Sequence, residues 1–151
     1  MRPRPVVAGL ALLFSLAATQ NRALAEQATL VPLSVPSYTS VFQHSSSQLK
    51  AILDRADTLA RQTNFSPVEP VTFVLHGDEI NLFRRAHYSQ NQDLVDLAAR
   101  LDAFRVIDVQ VCETWMRTHQ VRPEDLPPFV ETVPYGPDRL TQLRAQGVLE
   151  F

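Results

Sequence analysis

The chain has 151 residues, of which 45% are hydrophobic and 20% are charged, and its formal net charge at pH 7 is −2. This length and composition predict one globular domain with a core of its own. Its only lysine is Lys50, and its arginines form no basic stripe. Nucleic acid is therefore excluded as an expected partner, because phosphate backbones are bound by clustered Lys and Arg.

Residues 1–25 have the pattern of a secretory signal peptide. Arg2 and Arg4 precede an uncharged apolar run over residues 6–18, and Ala23 and Ala25 fit the small-residue positions of a cleavage site. We expect a mature chain that begins near Glu26, has a net charge of −5 and is periplasmic or secreted. No later segment is apolar over the length that a membrane helix needs, so we expect no membrane contact after the leader is removed.

Residues 26–44 are predicted to form a flexible tether. They are rich in Ser, Thr, Pro and Gln, and Pro32 and Pro36 break any regular period. Residues 38–42 have a weak strand pattern. We therefore place the folded domain at residues 45–151.

The first half of that domain is predicted to form a helix followed by a buried strand. Serines at 45–47 are N-cap candidates, and the apolar residues from Leu49 to Ala60 follow helical spacing. Residues 71–75 form a continuous apolar run typical of a strand covered on both faces, and the turn at 76–78 ends it. Residues 79–90 fit either a short helix or a surface loop that covers a site.

The second half repeats the alternation of helix and strand. A helix is predicted over residues 91–101, followed by a strand over 106–111 and a brief helix over 113–120. A further strand over 129–133 leads to a helix that begins at Pro137 and ends near Gly147, and residues 148–151 form a short closing strand.

This alternation predicts an α/β domain with a mostly parallel sheet of four or five strands and helices on both faces. In a parallel sheet the carboxyl ends of all strands lie at one edge, where open α/β sheets bind ligands. We therefore expect residues 76–78, 112–113 and 134–136 to converge there.

Cys112, the only cysteine, is the principal candidate for chemistry. It stands where a predicted strand passes into a predicted helix, so unpaired N–H groups and the positive end of the helix dipole would favour a thiolate, the nucleophilic form. A lone thiol in an exported domain is shielded, paired with another chain, or used. The competing interpretation is a buried cysteine that packs as a small hydrophobe. Glu113 would oppose ionisation unless its side chain points away.

His76 is a second candidate, as a proton acceptor for the thiol. The alternative is that this histidine only fixes the turn after its strand by hydrogen bonding. Asp78 and Glu79 would then favour the start of the next helix. We predict no cofactor.

Two other classes of function remain open. On one helical face, Cys112, Trp115, Met116 and His119 would offer thiolate, thioether and imidazole groups to a soft ion such as copper. Packing accounts for Met116 better than ligation does, because methionine readily fills gaps in a core, and we predict no metal site. The chain could also be an oligomeric binding module in which the cysteine is structural.

The chain resembles the DsrE/DsrF-like family of sulfur-relay proteins, specifically its exported, stand-alone members. The resemblance runs from about Leu49 to Phe151 and depends on the order and spacing of several blocks. These blocks are the strand with His76 and Gly77, residues 91–101, residues 109–112, residues 121–126, residues 130–136 and residues 140–151.

The resemblance implies a flavodoxin-like fold and assembly into homo-oligomeric trimers or hexamers. It also implies a sulfurtransferase-like carrier in which a cysteine holds sulfur as a persulfide, with sulfur donor and acceptor proteins as partners. In this chain the carrier position is matched by Cys112.

Overall fold

The computed structural model describes Leu33, residues 35–66 and residues 69–151. The predicted signal peptide and the tether residues 26–32 lie outside the described residues. Five strands form the sheet: β1 (Ser37–Val41), β2 (Val71–Leu75), β3 (Ile107–Cys112), β4 (Val130–Val133) and β5 (Leu149–Glu150). Four α-helices connect them: α1 (Ser46–Gln62), α2 (Tyr88–Ala103), α3 (Glu113–Thr118) and α4 (Gly136–Ala145).

The sheet is wholly parallel, with strand order β4–β3–β2–β1–β5. Parallel neighbours must be joined by crossovers, and here each crossover contains a helix. The predicted α/β layered, flavodoxin-like architecture is confirmed, including helices on both faces of the sheet. No helix among the described residues has the length and hydropathy needed to cross a membrane.

The start of the domain is the main correction to the predicted organisation. The tether was predicted to extend to residue 44, but residues 37–41 form β1, which lies inside the sheet between β2 and β5. The strand is difficult to predict because it contains small polar residues and is followed by the exposed residues Phe42 and Gln43. Leu33 is also buried, with 3% of its surface exposed, so the packed domain begins before β1.

The first helix follows the local signals closely. Ser45 is its N-cap, and a capping box joins the Ser45 side chain to the Gln48 backbone and the Gln48 side chain to the Ser45 backbone. The ambiguous segment before α2 contains two 3₁₀ helices, Asp78–Phe83 and Arg85–His87. At the chain end, Gly147 has a φ of +73°, which suits glycine at a helix stop.

The two faces of the sheet carry cores of very different size. Alternate residues of a strand point to opposite faces, and those that face α1, α2 and α3 form one large core. On the opposite face, which we call the α4 face, Leu140 and Leu143 pack against Tyr38 and Val74. Because these partners belong to β1 and β2, the helix α4 lies over that half of the sheet.

Leu53 and Leu149 differ in burial, so the same substitution at each position tests the assignment of the core. Leu53 on α1 is fully buried, whereas Leu149 on β5 is 48% exposed. We expect Leu53→Ala to lower the free energy of unfolding by about 2–5 kcal/mol, because it leaves a cavity. Leu149→Ala should cost well under that, about 0.5 kcal/mol. Urea denaturation measures both, and equal losses would contradict the assignment of the core.

Candidate functional site

Three segments that are distant in sequence meet at the carboxyl edge of the sheet. Their members are His76 after β2, Cys112 at the end of β3, and Gly136 at the start of α4. A Cβ placed on Gly136 would lie 2.6 Å from the Cβ of His76 and 3.4 Å from the Cβ of Cys112. The backbone at Gly136 therefore packs directly against both side chains, and the predicted convergence of residues 76, 112 and 136 is present in the structure.

Cys112 is covered. Only 2% of its surface is exposed, and its thiol forms no disulfide. It lies on the α4 face, because its neighbours Val109 and Val111 in β3 belong to the large core on the other side. The residue is the N-cap of the short helix α3, and its side chain makes no capping hydrogen bond. The thiol is thus shielded in this conformation, where the sequence left shielding and use as alternatives.

Although it is covered, Cys112 adjoins a surface cleft of about 350 Å³. Gln110 and Val133 line this cleft. Gln110 lies two residues before Cys112 on the same face, and Val133 is the partner of Cys112 in the register of β3 and β4. Tyr135, another lining residue, directly precedes Gly136. The turn at residues 134–136 therefore borders the cleft through Pro134 and Tyr135 and packs against Cys112 through Gly136.

Glu113 does not turn toward the thiol. Thr132 donates its hydroxyl to Glu113 Oε1 at 2.8 Å, and Arg117 Nη1 lies 3.7 Å from Glu113 Oε2. Thr132 alternates with Val133 along β4 and so lies on the face opposite the cleft. The carboxylate that the sequence places beside Cys112 is therefore engaged by partners on the other side of the sheet.

His76 has contacts of its own. Its Nε2 lies 3.1 Å from Ser40 Oγ, and its ring stacks on Phe42 with 4.8 Å between the centroids. Burial lowers the pKa of His76, and the charge of Glu79 opposes this effect in part. No hydrogen bond joins His76 to Cys112 within the described residues. Burial thus favours the neutral form of the imidazole, which lies beside Cys112 without a hydrogen bond to it.

Glu79 is a site residue whose role sequence reasoning missed. It was interpreted as a charge at a helix start, but it is 2% exposed and binds backbone amides. Its Oε1 accepts from the N–H groups of His76 and Gly77 at 2.9 and 2.7 Å, and its Oε2 accepts from that of Gln43 at 2.9 Å. This carboxylate ties the end of β1 to the end of β2. The available signal in the sequence was a glutamate two residues after the His-Gly pair that follows the strand.

Gly77 is required for that arrangement. A Cβ at residue 77 would come within 2.8 Å of Glu79 Oε2 and 2.9 Å of a ring carbon of Phe42. Only a residue without a side chain lets the carboxylate approach both amides.

The side chains considered as alternative ligands for a soft ion do not converge. Met116 is 3% exposed and belongs to the large core, whereas Cys112 lies on the α4 face. Trp115 and His119 stack on each other at 3.9 Å, and His119 Nδ1 lies 2.8 Å from Trp115 O. Across the described part of the chain, no group of three or more His, Cys, Asp or Glu is arranged to hold a metal ion. Since Cys112 and Met116 lie on opposite faces of the sheet, these side chains do not form one ligand set, and the helical spacing of Met116 reflects packing.

On the α4 face an acidic surface extends from Asp108, near the amino end of β3, to Glu131 on β4. Asp108 precedes Gln110 on β3, and Glu131 is the register partner of Gln110 on β4. Gln110 Nε2 donates to Asp108 Oδ2 at 2.7 Å, and Arg139 Nε donates to Gln110 Oε1 at 2.9 Å. Burial and the neighbouring Glu131 raise the pKa of Asp108, while the Gln110 hydrogen bond opposes this.

No protein-family model matches the chain, and no curated protein matches it. Among solved structures, it is similar to that of a protein of unknown function, MTH1491 from Methanobacterium thermoautotrophicum. The TM-score is 0.62 at 15% sequence identity, and the match covers 78% of this chain and 97% of the other. At this identity the likeness supports the fold, and the chain is a parallel, flavodoxin-like α/β domain.

Gly136 should be intolerant of a side chain. In Gly136→Ala the new methyl group would overlap the Cβ of His76, which cannot rotate away, so the start of α4 must shift. We expect a loss of about 1–3 kcal/mol in the free energy of unfolding and faster alkylation of native Cys112. Thr141→Ala on the exposed side of α4 is the control. Unchanged stability and unchanged alkylation would contradict the packing at Gly136.

The lowered pKa of His76 predicts a pH dependence of stability. The unfolded chain binds the proton more tightly, so this contribution is complete above the ordinary histidine pKa of about 6.5 and is lost as the pH falls through the lowered value. We expect His76→Gln to reduce the loss of stability between pH 7.5 and pH 5. Urea denaturation of both proteins at several pH values measures the pH dependence of the free energy of unfolding. An identical pH dependence in both proteins would refute this role.

Proposed function

We propose that this protein is an exported DsrE-like sulfur carrier in which Cys112 holds sulfur as a persulfide. The observation that carries the proposal is the position of Cys112 at the carboxyl edge of β3, one turn of chain beneath a cleft, with His76 beside it. The family, the periplasmic or secreted location and a trimeric or hexameric state belong to the same proposal. They are supported by the order of the sequence blocks and by the signal-peptide pattern.

The chemistry is an exchange of sulfur between thiols. The Cys112 thiolate attacks the outer sulfur of a donor persulfide, R–S–SH, so that a new S–S bond forms as the donor S–S bond breaks. The products are the Cys112 persulfide and the donor thiolate, with no net oxidation. An acceptor thiolate then takes the same outer sulfur and returns Cys112 to the thiolate.

The site offers support for an anionic sulfur. The ten-residue helix α4 begins at Gly136, against Cys112, and the N-terminal end of a helix is the positive end of its dipole. Because burial lowers the pKa of His76, its imidazole is neutral near pH 7 and can accept a proton. Since Glu113 is engaged on the opposite face, its charge does not face the sulfur.

Burial of Cys112 requires one conformational step. Pro134 and Tyr135 are exposed, Tyr135 by 46%, and the turn they belong to borders the cleft and packs against Cys112 through Gly136. A displacement of this turn opens Cys112 to the cleft without disturbing the large core, which lies on the other face. We propose that the thiol reacts during such openings and that the rate of opening limits sulfur loading.

The second candidate is a non-catalytic binding module with a structural cysteine. The observation that favours it is the 2% exposure of Cys112. In that case the carboxyl edge binds a partner or ligand, and the thiol only fills space beneath Gly136. The two candidates differ in whether the native protein reacts at Cys112.

Loading by polysulfide distinguishes the two candidates. After the native protein is incubated with sodium tetrasulfide, we expect intact mass spectrometry to show one added sulfur atom, removed again by a reductant. Cys112→Ser and Cys112→Ala should gain none, and circular dichroism verifies that each variant is folded.

Unfolded wild-type protein is the control for reagent access. If sulfur is added only when the protein is unfolded, the carrier proposal is wrong and the structural role of Cys112 is supported. If Gly136→Ala loads faster than the wild type, the turn at 134–136 is the barrier to the thiol.

A further inference from the structure

Within the described residues, no helix or strand covers half of the α4 face. The helix α4 packs over β1 and β2, and no described helix lies over the same face of β3 and β4. We call the side chains on this part of the sheet the open strip. It consists of Asp108 and Gln110 on β3 and Glu131 and Val133 on β4. Glu131 is exposed and Asp108 and Val133 are half-buried, whereas Gln110 is 6% exposed and is held by hydrogen bonds with Asp108 and Arg139.

An open face is unusual for this kind of sheet. Wholly parallel sheets occur almost only with both faces covered, because their crossovers place helices on each side. Here the chain returns from β4 to β5 through one helix of ten residues, which is too narrow to cover four strands. The open strip is therefore a surface on which a partner would complete the layer.

The charge of the open strip indicates which partner fits. Asp108 and Glu131 lie on it, and Asp102 at the end of α2 is close enough to Glu131 for their charges to interact. Arg139 reaches the strip through Gln110 and offsets one of these charges. The strip is thus an anionic surface with partly desolvated carboxylates.

A second copy placed symmetrically is disfavoured as the occupant. In a two-fold symmetric interface a surface patch meets itself, so the carboxylates of the open strip would face like charges. A cationic surface would pair with these carboxylates, and arginine is enriched in such interfaces.

We propose that the open strip is the docking site for a cationic, Arg- or Lys-rich segment of a partner protein that exchanges sulfur with Cys112. The identity of the partner as a donor or acceptor rests on the proposed carrier function, whereas the docking itself does not. The strip leads along β3 directly to Cys112, and Gln110 and Val133 belong both to the strip and to the cleft. A segment bound there contacts the turn at 134–136 that covers the thiol.

Binding is tested with a hexa-arginine peptide amide as the probe. We expect fluorescence anisotropy to detect binding to the full protein at low salt, and binding should weaken as salt screens the charges. Asp108→Asn and Glu131→Gln should each weaken it about threefold, the effect of one unit charge several ångströms away in a mainly aqueous medium. Asp54→Asn on the exposed side of α1 is the matched control and should bind like the wild type.

Access to Cys112 is tested with two thiol reagents of opposite charge. A cationic methanethiosulfonate should modify native Cys112 faster than an anionic one, and the ratio should fall in the Asp108→Asn and Glu131→Gln variants. If neither reagent reacts but the peptide still binds at the strip, the carrier function fails and the docking site stands.

Two results would overturn the docking proposal. One is peptide binding that is absent, or that is equally strong in the strip variants and the wild type. The other is a homo-oligomer, seen by sedimentation, that dissociates when Asp108 or Glu131 is neutralised, since the strip would then belong to contacts between copies of this chain.

Discussion

The parallel direction of all five strands is the constraint on which the rest of the structure depends. Because every strand ends at the same edge, residues from positions 76, 112 and 136 share one surface. Because every parallel neighbour needs a crossover, the direction of each crossover decides which face its helix covers. Three helices cover one face, and one helix covers half of the other.

The carboxyl edge is held together by a buried carboxylate. Glu79 accepts hydrogen bonds from backbone amides after both β1 and β2, and such charge-assisted bonds are stronger than those between neutral groups. The same contacts orient the chain at His76, whose ring lies between Phe42 and the start of α4. A glycine at 77 and another at 136 allow these segments to approach so closely.

One helix accounts for both the shielding of Cys112 and the openness of its neighbours. The helix α4 begins against the thiol and then runs over β1 and β2, so the cysteine is covered and the acidic residues of β3 and β4 are left open. A shielded thiol beside an exposed charged surface suits a protein whose reactive group is reached only with the right partner. This arrangement unites the proposed carrier role with the proposed docking site.

Much of the fold could be predicted because its signals are local. The apolar run of β2, the serine cap of α1 and the glycine that ends α4 each act through neighbouring residues. The strand β1 was harder to recognise because its polar residues Ser37 and Thr39 are buried only through contacts with the rest of the sheet. The alternative ligand set did not converge for a related reason, since Cys112 belongs to β3 and faces away from the core that contains Met116.

The sequence by itself determined the alternation of strands and helices, and with it the parallel sheet and the edge at which Cys112 lies. Periodicity and capping are properties of short segments, so they can be read without the fold. Only the tertiary structure decided that the thiol is covered, that Glu113 points away from it and that Glu79 binds the backbone. These three features depend on which segments approach one another across the sheet, and no pattern within a short segment encodes such long-range contacts.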